Sequence, residues 1–240
     1  MGAPAVTKKI LLGSDQGQGI QISGAFVRYN GRLSLELTLL NLSGQQMNKF
    51  KIQFFQNSFG VSPIEAILQC GAIENGQSMD VSVPISANGP PAQPLAPLIN
   101  MAMMVLPSQA KFYFQMNLPF HMLFVESGQL DREAYLSMRK SIPEANERTK
   151  DIQIQAPQFD VDTILRRLHS KNLFEIVRKK VQNQDVSFLS CKTENSIYIL
   201  AELTFTVGTR VCRLTSKSTA IEFTPLFEHT MEMLINDQQY

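Results

Sequence analysis

The chain has no tryptophan, only three cysteines, only three histidines and no long apolar run. Cys70, Cys191 and Cys212 are too few and too scattered for a disulfide framework, and their odd number fits reduced thiols packed inside a cytosolic protein. His121, His169 and His229 stand in separate segments, none at ligand spacing from a cysteine or another histidine, so no zinc motif exists. No stretch is apolar enough to span a bilayer, and Met1-Gly-Ala-Pro-Ala-Val-Thr7 lacks the apolar core of a signal peptide. A soluble protein, or the soluble part of a larger one, is expected, and the Asn41-Leu42-Ser43 triplet reads as a chance match to a glycosylation site. A net charge of +1 excludes a global field that would recruit nucleic acid or an anionic membrane.

Catalytic signatures are absent as well. Gly17-x-Gly19 precedes a strand instead of opening a helix, and Gly24 comes too late to complete a dinucleotide fingerprint, so the pair reads as a turn. Neither a phosphate-cradling loop with its lysine nor a Gly-x-Ser-x-Gly elbow occurs. Glu144 and Glu147 are close enough to pair, but solvated surface is the reading that requires least. No active site, metal or cofactor is expected.

What is present is a contrast between two halves. Residues 1–123 carry seven Lys/Arg and five Asp/Glu, whereas residues 124–240 carry fifteen and sixteen. With 44% hydrophobic residues there is material for two cores, and the apolar period changes at the same place. Asn30-Gly31 can supply the two φ > 0 residues of a tight hairpin turn after Ala25–Tyr29. Leu33, Leu35, Leu37 and Leu39 then alternate with polar residues, as do Phe50, Ile52 and Phe54, and, after an Asn75-Gly76 turn, Met79, Val81, Val83 and Ile85. Asn88–Pro97, with four prolines, reads as a stiff connection between sheets. In the strand Lys111–Leu118, Phe112, Phe114, Met116 and Leu118 share one face, which puts the aromatic Tyr113 on a polar face. A β-sandwich over residues 1–123 is expected.

From Phe124 helices alternate with strands. Asp131 can cap a helix with the stripe Ala134, Tyr135 and Met138, and Asp160 another with Ile164, Leu165 and Leu168. Leu173–Val177, Val186–Cys191, Ile197–Phe205 and Arg210–Leu214 read as consecutive antiparallel strands, and Thr224 with Pro225 as the cap and first residue of a last helix bearing Phe227, Met231, Leu234 and Ile235. Residues 124–240 are thus expected to form an α+β domain, an antiparallel sheet with helices packed against it.

Two surfaces stand out. In Ile197–Phe205 the odd positions are continuously apolar, leaving Tyr198, Leu200, Glu202 and Thr204 on the other face. Either they line an exposed groove offering an aromatic wall and a carboxylate, or the last helix covers them, and Phe188 admits the same two readings. The second surface is the set Arg166, Arg167, Lys171, Arg178, Lys179 and Lys180. It reads either as a solvated face interleaved with Asp160, Asp162, Glu175 and Asp185 or as a phosphoinositide-binding, membrane-surface patch. Nucleic acid is disfavoured because no row of stacking aromatics accompanies the cations.

Ile52-Gln-Phe-Phe-Gln-Asn-Ser-Phe-Gly60, Phe112-Tyr-Phe114, Leu123-Phe-Val-Glu126 with Gly128, Ile142-Pro143, Asn183-Gln-Asp185 and Ile197-Tyr-Ile-Leu-Ala-Glu-Leu203 occur in this order. Through them the chain, from about Gly19 to Asn236, resembles the β-adaptin appendage, or ear, of clathrin adaptor complexes. The resemblance implies an immunoglobulin-like β-sandwich followed by an α+β platform subdomain, neither an enzyme. Both would bind short motifs in disordered tails of endocytic or trafficking accessory proteins, with clathrin a further candidate partner. Other adaptor subunits would be met through a trunk that the chain lacks, and membrane association, at clathrin-coated pits or vesicles on the cytoplasmic side of the plasma membrane or the trans-Golgi network, would be indirect. Carried over by position, Phe188 is the groove aromatic, Glu147 and Glu202 its acidic residues, Arg132 and Lys179 basic residues at its edge, and Tyr113 the exposed tyrosine of the sandwich site. Two positions depart from the pattern: Arg139 stands where the family usually has tryptophan, and Leu106 where it often has lysine.

Overall fold

In the computed structural model, which describes residues 6–89, 92, 93, 95–106, 108–156 and 158–238, Asn30 and Gly31 have φ of 49° and 73°. They close the hairpin between β2 (Ile20–Tyr29) and β3 (Arg32–Asn41), in register from Tyr29 opposite Arg32 to Ile20 opposite Asn41. The chain divides into two compact units, Met1–Leu118 and Pro119–Tyr240. The division falls ahead of the change in apolar period at Leu123/Phe124, because a 3-10 turn, Phe120–Leu123, stands before that change and belongs to the second unit.

The first unit is two antiparallel sheets. One has the order β1 (Lys9–Leu12), β2, β3, β6 (Ser78–Ser86) and β5 (Ser62–Pro63), and the other β4 (Phe50–Phe54), β7 (Leu98–Val105) and β8 (Ala110–Asn117). The leucine alternation is realised: Leu33, Leu35, Leu37 and Leu39 are all buried, together with Ile20 and Ile22 of β2. Phe50, Ile52, Ile99, Met101 and Met103 of the second sheet are buried as well. Each such side chain contributes about 2 kcal/mol on leaving water, so the unit holds its shape without disulfides.

β7 lies in a stretch where alternation predicts no strand. Its Asn100, Ala102 and Met104 face away from the core, and with two of these three apolar the polar–apolar contrast disappears. The described residues of the proline segment connect β6 of one sheet with β7 of the other, as expected of an intersheet connection, while Pro90, Pro91 and Pro94 lie outside the described residues. The segment is clasped by the loop after β4. Gly89 donates its N–H to the Gly60 carbonyl, Ala92 to that of Asn57, and Ala96 to the Ser58 hydroxyl. Asn57, itself buried, uses all its side-chain capacity there: Nδ2 donates to the Phe55 and Val61 carbonyls and Oδ1 accepts from the Phe59 and Val61 N–H groups. Asn41 is likewise fully buried and donates to the Gln45 and Ile73 carbonyls. Its part in the glycosylation triplet is therefore structural.

The second unit is one five-stranded antiparallel sheet of order β10 (Phe174–Val181), β11 (Gln184–Lys192), β12 (Tyr198–Thr206), β13 (Val211–Ser218) and β9 (Glu147–Gln153). The four consecutive strands pair as expected, and β9 is an addition at the edge. Alternation misses β9 because its buried residues within the strand reduce to Ile152. Helix α1 (Arg132–Ser141) is capped by Asp131 Oδ1, which accepts from Ala134 N–H, and α2 (Val161–His169) by Asp160, which accepts from Asp162 and Thr163. Of the expected α2 stripe, Ile164 and Leu168 are buried and Leu165 is half-buried. Helix α3 (Thr224–Ile235) buries Phe227, Met231, Leu234 and Ile235 as anticipated. Thr224 is not its cap, however. A 3-10 turn, Ile221–Phe223, runs directly into α3, so Phe223 takes the cap position with no side-chain bond and Thr224 is the first helical residue. The preceding turn satisfies the Thr224 backbone, whose N–H donates to the Ile221 carbonyl.

Candidate functional site

Glu202 stands opposite Phe188 on β11 and opposite Thr215 on β13, and Thr215 stands opposite Thr149 on β9. The strand period of two therefore puts Tyr198, Leu200, Glu202 and Thr204 on one sheet face with Val186, Phe188, Lys217 and Glu147. The odd residues Ile199, Ala201, Leu203 and Phe205 are all buried on the other face. Helix α3 packs on that buried face: Lys150 of β9, out of phase with Glu147 and Thr149, reaches Glu232 of α3 at 2.7 Å. The last helix does not cover Glu202.

What crosses the groove face is α1. Tyr135 and Leu200 are buried in one cluster with Ile142, flanked by Leu130, Met138, Ile176 and Phe188. The Tyr135 ring meets Phe188 edge-on, centroids 6.2 Å apart at 77°, an arrangement worth about 1 kcal/mol beyond area. Burial pushes the Tyr135 phenol up, and the neighbouring Arg139 opposes that rise. One helical turn on, the Arg139 guanidinium lies 3.3 Å from Glu147 and 3.6 Å from Glu202. Lys217, buried among these groups, donates its ammonium to the Arg139 carbonyl at 3.0 Å and holds the end of α1 on the sheet. Beyond Phe188, the Lys179 ammonium stands 5.7 Å from the ring centroid. The structure thus brings Arg139, Glu147, Lys179, Phe188 and Glu202 together.

Two expected residues lie apart. Tyr198 shares the face, two rows along β12 from Glu202, and carries the Lys192 ammonium 5.4 Å over its ring. Arg132 is exposed at the start of α1 and lines a shallow hollow with Leu136 and Lys140, away from Phe188. Sequence reasoning placed Tyr135 in the core and gave Lys217 no role. Lys217 falls beyond the expected end of β13 at Leu214, so its facing and burial were not legible.

In the first unit Tyr113 is 63% exposed on β8, as alternation predicts. Phe55, just past the end of β4, stacks beside it with centroids 6.4 Å apart at 21°. The pair opens onto a hollow lined also by Leu11, Gln16, Asn100 and Gln115, with no charged side chain among its described lining residues. Phe55 was missed because it breaks the alternation of Phe50, Ile52 and Phe54.

The basic set is divided by its own ion pairs. Arg178 is bound by Asp185 at 2.5–2.6 Å and also by Asp162, and these hydrogen bonds raise its pKa, that with Asp185 lowering the carboxylate's. Arg167 bonds the Leu234 and Ile235 carbonyls and Asp237, and Arg166 reaches Thr163 and Asp160. Three of the six cations thus have an acidic side chain of their own within reach. Burial raises all three thiols: Cys212 is pushed up to about 12, and Cys191, wholly buried, is raised as well. Among the described residues no three His, Cys, Asp or Glu cluster as metal ligands, and no helix is long and apolar enough to cross a membrane.

Comparison with known proteins follows this division. Residues 8–109 match the model of the adaptin C-terminal domain, and residues 125–235 that of the β2-adaptin appendage, C-terminal sub-domain. Over 233 residues, 97% of the chain, the sequence is 62% identical to the AP-1 complex subunit beta of Dictyostelium discoideum. It is 34% identical over 88% of the chain to the human AP-1 complex subunit beta-1, and 33% identical over 92% to that of the rat. The chain spans 25% of the length of the first of these proteins and 22% of that of the second. A β-sandwich followed by an antiparallel α+β platform, matched in chain order by the adaptin C-terminal and β2-adaptin appendage models and 62% identical to an AP-1 beta subunit, places this chain in the β-adaptin appendage family of clathrin adaptors.

Proposed function

We propose that this non-enzymatic appendage recruits accessory proteins to clathrin-coated membranes by holding short Phe-containing motifs from their disordered tails. The observation that carries the proposal is Phe188, half-exposed on an open sheet face, with the edge of Tyr135 on one side and a charged cluster opposite. A ligand aromatic or leucine laid on Phe188 would be desolvated against a preformed wall, with charges beside it to fix its register, as in helix-in-groove recognition. The Tyr113–Phe55 hollow supplies a second, independent site. Single contacts of this size give micromolar affinity, about −8 kcal/mol, and strength comes from repeated motifs. Clathrin and the accessory tails would then compete or cooperate for two surfaces on one chain, on the cytoplasmic side of the membrane that the whole adaptor serves.

The test is an NMR titration with a helical peptide carrying two Phe residues. Saturable shifts are expected at Phe188 and Glu202, and Phe188→Ala should weaken that binding at least about tenfold. Tyr113→Ala should leave those shifts intact while removing any at Phe55. An unchanged affinity in Phe188→Ala, read from the Glu202 shifts, would overturn the platform assignment.

A further inference from the structure

The two carboxylates of the groove already have a guanidinium. Glu147 and Glu202 belong to strands separated by β13, and Arg139 bridges them from α1. Its side chain is only 29% exposed and its carbonyl is pinned by Lys217. The cations of the face outnumber its carboxylates. Lys179, Lys192, Arg213 and Lys217 project from the sheet and Arg139 reaches it from α1, against Glu147, Glu202 and Asp151, and Asp151 is occupied by Arg213 at 3.0 Å. Lys179, exposed beside the Phe188 ring, has no carboxylate among its described contacts.

We infer that Arg139 sets the charge preference of the groove: it selects an aromatic-anchored peptide whose flank is acidic and rejects one whose flank is basic. This rests on the platform reading above. A ligand guanidinium entering beside Phe188 would have to displace Arg139 from both carboxylates. That would strand a largely buried cation without a carboxylate, with Tyr135 as its remaining side-chain partner and Lys217 close by. A ligand carboxylate displaces nothing. It meets the exposed Lys179 ammonium and the guanidinium donors of Arg139 that two carboxylate contacts leave over. Arg139 is thus an internal occupant of the site a basic ligand would need, and a specificity-determining residue.

Two peptides identical except for Asp or Arg one helical turn after the Phe would be titrated at low salt, with Phe188 and Glu202 followed by NMR. The Asp peptide is expected to bind about tenfold more tightly. In Arg139→Gln, which frees Glu147 and Glu202, the order should reverse, with spectra outside the groove unchanged as the check on folding. Equal or tighter binding of the Arg peptide to the unmodified protein would overturn the charge assignment while leaving the platform site standing. An unchanged order in Arg139→Gln would overturn the role of Arg139. No shift at Phe188 with either peptide would remove the platform reading and this inference with it.

Discussion

Gly60→Ala is expected to cost the first unit on the order of 4 kcal/mol, a large share of the stability of a domain. Gly60 has φ of +61°, and a Cβ there would lie 1.9 Å from the Gly89 carbonyl oxygen and 2.5 Å from its carbon. The obstacle is backbone and cannot rotate aside. Relief would separate the two loops and break the clasp in which Gly89, Ala92 and Ala96 bond to Gly60, Asn57 and Ser58. Gly76→Ala separates strain from collision: its φ is +80°, yet nothing lies within 4 Å of the added carbon. It should therefore lose only the conformational cost, about 1–2 kcal/mol. Urea unfolding of the two variants beside the parent measures both. A Gly60→Ala midpoint no lower than that of Gly76→Ala would show that the clasp yields.

The second large effect is a dependence on pH. His121 is buried, and that burial, helped by the charge of Lys171, depresses its pKa to about 3. Its unfolded value is about 6.5. Below pH 6.5 the unfolded chain takes up a proton that the folded chain refuses, so stability falls as pH falls, by about 1.4 kcal/mol per pH unit. Between pH 6.5 and 5 the expected loss is about 2 kcal/mol, present before Asp80, Asp160 and Asp185, with their lowered values, begin to protonate. Unfolding free energies at pH 7, 6 and 5 measure the slope, and His121→Leu should flatten it. The same slope in that variant would assign the protons elsewhere.

The parts of the fold that were legible are those where one rule acts alone. Asn30-Gly31 fixes its turn through backbone sterics, the four leucines of β3 fix their face by parity, and Asp131 and Asp160 cap their helices by local bonds. β7 was illegible because Ala102 and Met104 make its outer face apolar too, and β9 because its neighbour β13, not its own composition, makes it a strand. Thr224 lost the cap because the preceding 3-10 turn already occupies that end. At the site, Tyr113 and the face of Glu202 followed from alternation. The bridging of Glu147 and Glu202 by Arg139 did not, since it depends on the angle at which α1 crosses the sheet. The Asn57–Gly60 stretch, which carried part of the family resemblance, proves to be scaffold: its side chains and carbonyls hold a loop.

The open sheet of the second unit also explains why charge is concentrated in that half of the chain. Both outermost strands are laden with it: Glu147, Arg148, Lys150 and Asp151 on β9, and Glu175, Arg178, Lys179 and Lys180 on β10. A neighbouring molecule offering its own β10 alongside would set three cations against three, and an incoming β9 would have to desolvate four ionised groups. In the first unit the larger sheet is limited by brevity instead, ending in four-residue β1 and in two-residue β5 with its Pro63. Copies of this chain brought side by side would therefore be kept from zipping into continuous sheets at these edges.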